Sequence, residues 1–490
     1  MRVTQPLVAI ALLTTLGSAQ VESLPAPELH GNSFELVSNS RYSVHSGFSS
    51  SLSRQVLGNV LWFMNQVPSY GSYRELYVAD PNNVYLYNSV SHSLVVHLSG
   101  DHRYSNRSAF EVGIAVERDE EAGLAIQAGL LAATAFWDST GGNVAHCPMQ
   151  FATNYANSNW NPLHPIMMVN VYGQMRTNGL QHMVQAQSSD STLPTPRVDG
   201  PDTFELVAQQ LVPDSSSLSQ NLTPDELSQI LWAGYGVTPH QAVGKRGLTV
   251  PSAVAYYLLT RKIYVASEQG VARYHNRLPP GTDLTTSDHR LEYLDTLDSR
   301  PELRAGCPRL PSSAATYIVI TVSDTAHNWH KIEAGFVAYQ FLMQAKILGL
   351  RGFLTMPLSP SERDAIISSL GLPATDFPVI VFSVGRSQVG VRDRTGYELE
   401  GIRVSSTGKG GVRIEYTLPH GKLMRLEVYD RTGRTVRSWR VDRRTSSTGV
   451  VEWDGRNDEG VLLPVGEYLV RLTGAGGSAP GYSTRFLLTR

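Results

Sequence analysis

Apolar residues spaced three and four apart mark two stretches of this chain as amphipathic helices. One places Val56, Leu57, Val60 and Leu61 on a single face behind a capping position at Ser53. The other places Leu227, Ile230 and Leu231 on one face, behind Thr223 as N-cap, Pro224 at the first helical position and Glu226 closing a capping box. The two helices sit in repeated surroundings. Phe34-Glu-Leu-Val37 returns 170 residues on as Phe204-Glu-Leu-Val207, and Leu61-Trp62 returns at the same offset as Leu231-Trp232.

Two further blocks repeat in the same order. Arg74-Glu-Leu-Tyr-Val-Ala79 answers to Arg261-Lys-Ile-Tyr-Val-Ala266 at an offset of 187, and both read as a strand with a hairpin-like return. Glu121-Ala-Gly123 with its long apolar helix answers to Glu333-Ala-Gly335 with its helix at an offset of 212. Each copy ends in a β-rich run closing on glycine, Pro165–Gly173 and Pro378–Gly385, again 212 apart. The growth of the offset means that the second copy carries insertions of 17 (170 to 187) and 25 (187 to 212) residues. The first insertion holds Gly244-Lys-Arg-Gly-Leu-Thr-Val-Pro-Ser-Ala253, which has no counterpart in the first copy.

Past residue 408 the pattern changes to strict alternation, as in Val412-Arg-Ile-Glu-Tyr and Met424-Arg-Leu-Glu-Val-Tyr. Turns fall at Asp430–Gly433 and Asp454–Gly460, so this part reads as a small all-β sandwich. Turn chemistry accounts for Asp454, Asn457 and Asp458, with calcium as the alternative. The expected organisation is a signal peptide at 1–19, a first unit at 33–182, a linker at 183–202, a second unit at 203–386, a linker at 387–407 and the sandwich at 408–490. A chain of 490 residues exceeds what one core organises, which agrees with three folded parts.

Composition narrows the function. Charged residues are 17% of the chain and the formal net charge is −2, so there is no electrostatic case for a nucleic-acid partner or a polybasic membrane contact; a small-molecule substrate or a protein partner is expected. Arg2, the apolar run Pro6–Leu16 and small residues at Gly17 and Ala19 read as a secretory signal, and no later apolar run is long enough to cross a bilayer. Cys147 and Cys307 lie far apart, outside any metal-ligand spacing, and are read either as a pair or as two isolated buried thiols. His327-Asn-Trp-His330 lacks a third ligand, so no metal is expected.

The second copy resembles the nitroreductase-like flavoproteins, and among them the SagB-type dehydrogenases. The residues that carry the resemblance are Leu222–Gly234, Pro251-Ser-Ala253 before the strand Lys262–Val265, Glu333-Ala-Gly with its helix to Leu350, and Pro378–Gly385. The first copy resembles the same unit more faintly. The C-terminal part is similar to FlgD-type and secretion-sorting immunoglobulin-like modules through Tyr416-Thr-Leu-Pro, Val428–Gly433, Trp453-Asp-Gly455 and Gly466-Glu-Tyr-Leu-Val. The resemblance implies an α+β fold: tandem nitroreductase-like units closing as an intramolecular pseudo-dimer within a monomer, followed by an all-β immunoglobulin-like sandwich.

It also implies FMN at the boundary between units. In that family an Arg-x-Ser-x-Arg segment grips the flavin phosphate and a Pro-Ser turn from the partner subunit lies by the ring. Here Arg41-Tyr-Ser43-Val-His45 fits the phosphate segment, with His in place of the last arginine, while the equivalent positions of the second copy, Leu211, Pro213 and Ser215, do not. The Pro-Ser turn is present only in the second copy. The resemblance therefore implies one composite site per chain, from Arg41, Ser43, His45, Gly141-Gly142 and Arg176 of the first unit with Pro251, Ser252 and Ala253 of the second. Lys245 or Arg246 would hold negative charge on the reduced ring.

The implied activity is hydride transfer between flavin and a small organic substrate. No pair matches the Lys-Tyr of azoline oxidation, and Tyr256, Tyr257 and Tyr264 read as core and sheet residues. The alternative is an exported, cofactor-free module for binding or surface structure. Export in a Gram-negative-type bacterium is expected on either reading, with the C-terminal module contacting the cell surface or secretion machinery.

Overall fold

The computed structural model describes residues 21–44, 48, 52–136, 143–176, 180–216, 218–242, 245–252, 257–277, 286–386, 401–406, 411–417, 424–430, 434–441, 448–474 and 482–488. The expected signal peptide at 1–19 lies outside them. The first unit runs β1 (Val21–Ser23), α1 (Phe34–Ser40), α2 (Arg54–Gln66), β2 (Arg74–Ala79), β3 (Asn83–Asn88), β4 (Ser93–Ser99), β5 (Phe110–Val116), α3 (Asp119–Ala135), β6 (Asn143–Met149), α4 (Gln150–Asn159) and β7 (Met168–Arg176). The second runs β8 (Ala186–Gln187), α5 (Phe204–Gln209), α6 (Pro224–Tyr235), β9 (Val237–Ala242), β10 (Lys245–Leu248), β11 (Ile263–Ser267), β12 (Gly270–Arg277), β13 (Thr286–Asp295), α7 (Arg300–Gly306), β14 (Thr316–Val322), α8 (Asn328–Ile347), β15 (Arg351–Thr355), α9 (Pro360–Leu370) and β16 (Phe377–Gly385).

The two sheets share one strand order and differ in direction only at one edge, where β1 runs antiparallel to β4 and β8 runs parallel to β13. The first is ordered β1-β4-β3-β2-β5-β7-β6, and the second, read from its far edge, β8-β13-β12-β11-β14-β16-β15. Element for element these are the same positions. The insertions stand outside this plan: β9 and β10 pair only with each other, and α7 lies between β13 and β14.

Local chemistry sets the helix starts. Thr223 and Glu226 form the expected capping box at α6, and Ser359 and Glu362 form a second one at α9. Ser53 does take the N-cap of α2 in extended conformation, but its hydroxyl makes no capping bond. Both α3 and α8 are buried along nearly their whole length, because each packs on its own sheet and on the other helix.

They cross at glycines. A Cβ on Gly123 would stand 2.1 Å from the Ile332 carbonyl oxygen, and one on Gly335 would stand 2.1 Å from that of Glu120. Backbones this close admit no side chain, and the two residues are equivalents at the 212 offset. A second reciprocal contact lies at the helix starts: Phe34 N–H donates to Asp202 O at 3.2 Å and Phe204 N–H to Asn32 O at 3.0 Å, with Ser33 and Thr203 bridged between them. Equivalent residues touching each other are the mark of a two-fold interface. The units close as a pseudo-dimer around one shared core that includes Leu124, Ile126, Phe336 and Phe341.

The third part packs the sheet β17 (Gly401–Ser406), β18 (Val412–Thr417), β21 (Thr448–Trp453) on β20 (Thr435–Val441), β19 (Met424–Tyr429), β22 (Gly466–Gly474), β23 (Tyr482–Leu488). Its core includes Val412, Ile414, Leu426, Val428, Trp453 and Leu472. The strand β17 falls in the stretch expected as linker, because Gly401–Ser406 pairs in register with Val412–Thr417. Asn457 Oδ1 accepts from the backbone of Glu459 and Val461, and Asp454 Oδ1 from that of Arg456, so these side chains close their own turns. No helix among the described residues is long and apolar enough to cross a membrane.

Candidate functional site

The end of α1 in the first unit meets the inserted segment of the second. Arg41 leaves the helix in extended conformation and turns its side chain inward, where it is 1% exposed. Its Nε donates to Thr249 O at 3.0 Å and its Nη2 to Leu248 O at 2.8 Å, while Nη1 lies 3.5 Å from Ser43 Oγ. Arg41 and Ser43 are thus brought against the backbone that leads into Pro251 and Ser252.

Thr249 O is the hub of this boundary. Besides Arg41 it accepts from Gln127 Nε2 of α3 at 3.2 Å and from Gln340 Nε2 of α8 at 3.1 Å. A carbonyl oxygen has two lone pairs, so three donors crowd it and fix its position. The segment is held from behind as well. Thr249 N–H donates to Gly236 O at 3.0 Å, and Leu248 N–H donates to the Tyr257 hydroxyl at 3.1 Å. Tyr235 OH donates to Glu333 at 2.6 Å, and the same carboxylate accepts from Leu258 N–H at 2.8 Å. Over the outer side, Tyr42 stacks on His240 of β9 with ring centroids 3.7 Å apart.

The electrostatics are those of a buried cation. Burial lowers Arg41 to about 10, which leaves it charged at neutral pH, and no carboxylate among the described residues pairs with it. Burial, helped by the Arg41 charge, pushes His146 down to about 3 and so keeps that imidazole neutral. Burial pushes the Cys147 thiol up to about 12. Cys147 and Cys307 are both buried and are not joined in a disulfide. Gln127 Oε1 and His146 Nδ1 are buried without a hydrogen-bond partner among the described residues.

These residues fit the phosphate end of a flavin. The guanidinium carries five N–H groups and an uncompensated charge, and the two carbonyl bonds leave hydrogens on Nη1 and Nη2 beside the Ser43 hydroxyl. The equivalent place in the second copy does not fit: Leu211 is buried in the apolar core there.

The remaining expected site residues divide into two groups. Pro251 is buried and Ser252 half-buried, next to the hub, while Lys245 and Arg246 lie on β10, paired through their backbone with Ala242 and Gln241. Arg176 ends β7, where its backbone pairs with Asn143. His45, Gly141, Gly142 and Ala253 lie outside the described residues, as does Tyr256. Tyr264 is a sheet residue whose hydroxyl donates to Asp376 at 2.5 Å.

Sequence reasoning missed Gln127 and Gln340. Their signal was an amide among apolar residues inside each of two helices, Leu124-Ala-Ile-Gln-Ala-Gly-Leu-Leu and Val337-Ala-Tyr-Gln-Phe-Leu-Met. A buried amide needs a partner, and such a position asks what it bonds.

Comparison with known proteins agrees with the architecture. Residues 400–478 match the family described as the FlgD Ig-like domain. Among solved structures, a protein of Anabaena variabilis assigned as a nitroreductase is similar over 73% of this chain and 92% of its own, at 14% identity and a TM-score of 0.51. That share exceeds either unit alone, so the likeness spans both, and it is a likeness of fold. A Ralstonia eutropha JMP134 protein with the same assignment covers 42% of this chain and 95% of its own, at 20% identity and a TM-score of 0.34. A chain of the E. coli microcin synthetase McbBCD complex covers 37% and 67%, at 16% identity and a TM-score of 0.25. None of the curated proteins compared with the chain matches it.

Proposed function

From a nitroreductase-like fold written twice and closed by a FlgD Ig-like domain, we propose that this chain is an exported FMN-dependent oxidoreductase holding one flavin per chain at the boundary between its units. The observation that carries the reading is Arg41: a fully buried cation with no carboxylate partner among the described residues, next to a hydroxyl and beside the segment that enters Pro251-Ser252. An uncompensated buried charge is costly, and an anionic ligand group removes that cost.

In this reading Arg41 and Ser43 hold the phosphate, with His45, Gly142 and Arg176 around it. The backbone of Pro251, Ser252 and Ala253 lines the ring, and Lys245 or Arg246 supplies positive charge near it. When bound, flavin supplies two-electron hydride chemistry toward a small organic substrate. The protein's part is positional. The three donors on Thr249 O fix the inserted segment, Tyr42 and His240 cover the outer side, and neutral His146 adds no second charge beside Arg41.

A titration of the full chain with FMN, followed by fluorescence quenching, tests this. Saturation that disappears when Pro251–Ala253 is replaced by a glycine-serine segment supports the reading; no quenching by the wild-type chain overturns it.

One observation favours a second reading, a cofactor-free binding or surface module. Arg41 already spends two donor groups on the Leu248 and Thr249 carbonyls, as a strut between units would. On that reading Arg41→Ala loosens the boundary and no flavin binds in any variant.

A further inference from the structure

A cleft of about 630 Å³ opens elsewhere between the two units. Its walls are Arg118, the residue before α3 of the first unit, Arg309, which follows α7 of the second, and the segment from Pro357 to Arg363 that enters α9. Three guanidiniums from three separate stretches of chain therefore face one space of the size that takes a small organic ligand.

Their bonding is unequal. Arg309 is fixed, with Nε and Nη2 donating to the two oxygens of Glu362 at 2.7 and 2.8 Å and Nη2 also to Pro357 O. Arg118 has an exposed contact, with Nη2 3.0 Å from Glu117 Oε1. Arg363 makes no ion pair among the described residues, and the nearby Glu120 is a buried acid whose pKa is raised by that burial. Both Arg118 Nε and Arg363 Nε are buried and have no acceptor among the described residues. Buried donors without a partner are rare in folded proteins, and two of them on one cleft point to a missing acceptor. Ser359 Oγ and Ser361 Oγ, 3.2 Å apart, add hydroxyls, and Pro357 and Leu358 form an apolar wall.

The cleft belongs to one side of the pseudo-dimer. The counterpart of Arg118, 212 residues on, is His330, and the counterpart of α9 is α4, whose first turn offers Gln150, Phe151 and Ala152 and no cation. Closing the fold does not require these arginines, since the related side does without them.

We propose that this cleft binds a small organic phosphate, with Arg118 and Arg363 taking the phosphate oxygens and the Pro357-Leu358 wall taking the organic part. Planar guanidiniums match phosphate oxygens in pairs, which is why arginine suits this role.

Calorimetric titration of the full chain with pyrophosphate, and separately with citrate as a carboxylate of comparable charge, tests the proposal. Saturable pyrophosphate binding is expected, weakened at least ~10-fold in the double variant Arg118→Gln/Arg363→Gln, with the unliganded melting temperature of that variant unchanged. The Arg41→Met variant should titrate with pyrophosphate as the wild type does; loss of binding in it would place the anion at Arg41 and overturn the assignment. Equal affinity in the double variant, equal affinity for citrate, or no saturable binding to the wild-type chain below about 10 mM would each overturn it as well.

Discussion

The two units share a sheet order and an interface, yet equivalent positions at their boundary have taken different residues, and those differences follow a rule. Where backbone meets backbone, the copies have stayed alike: Gly123 faces Gly335, and Ser33 faces Thr203. Where side chains meet, they have diverged. Asp119 and Lys331 are equivalents at the 212 offset, and they form a salt bridge with each other at 2.7 Å. In a homodimer an on-axis residue faces its own copy and must meet a like charge. Joining the copies in one chain removes that restriction. The same freedom lets the first copy carry Arg41 where the second has Leu211, and lets the second alone carry the β9–β10 hairpin and its Pro-Ser turn.

The comparison can be broken hardest at the crossing. Gly123→Val or Gly335→Val places carbon against a backbone oxygen, and neither helix can move without opening the shared core. Each is expected to lower stability by ~3 kcal/mol or more, read as a shift of the urea midpoint, and by similar amounts because the contact is reciprocal. A large loss in one variant only would argue against the pseudo-two-fold.

Arg41 and Leu211 should instead behave differently. Arg41→Met leaves the Leu248 carbonyl without its donor and Thr249 O with two of its three, for a loss of ~1–3 kcal/mol, together with loss of flavin uptake. Leu211→Ala costs a similar ~2–3 kcal/mol by removing buried apolar contacts and leaves flavin uptake unchanged.

A smaller contrast lies in the helix starts. Glu35 is paired with Arg197 at 2.7 Å, whereas Glu205 is buried with backbone donors only, and burial raises it to about 7. Between the usual carboxylate range and pH 7 the native state then binds more protons than the unfolded state, so this residue makes stability fall as pH rises through that window. Glu205→Gln should flatten that slope in denaturant midpoints taken from pH 5 to 8, while Glu35→Gln should lower stability by weakening the buried acceptor that Arg197 and Gln344 share.

The smallest effect belongs to the on-axis pair. Lys331→Asp sets like charges against each other for ~1 kcal/mol, and adding Asp119→Lys restores most of it. Restoration in the double variant is the signature of direct contact; additive losses would show that the two residues act separately.

Much of this was legible in the sequence, because duplication writes structural constraint twice. Gly123 and Gly335 stood out as equivalents at the 212 offset, and Arg41 against Leu211 stood out as an unlike pair. The hub was not legible. Thr249 acts through its carbonyl oxygen, which every residue has, so no side-chain pattern announces it. Gln127 and Gln340 left only the faint mark of an amide among apolar residues. Ser53 looked like a cap, but its hydroxyl makes no capping bond. The start of the sandwich at Gly401 was hidden because β17 is defined by pairing with β18, and its alternation alone is short.

A count of FMN per chain by native mass spectrometry, on the wild-type chain and on Arg41→Met and Leu211→Ala, tests the central claim most directly. One flavin in the wild type and in Leu211→Ala, with none in Arg41→Met, is the predicted result. Two flavins per chain, none in the wild type, or one retained in Arg41→Met would contradict a single composite site built from unlike copies.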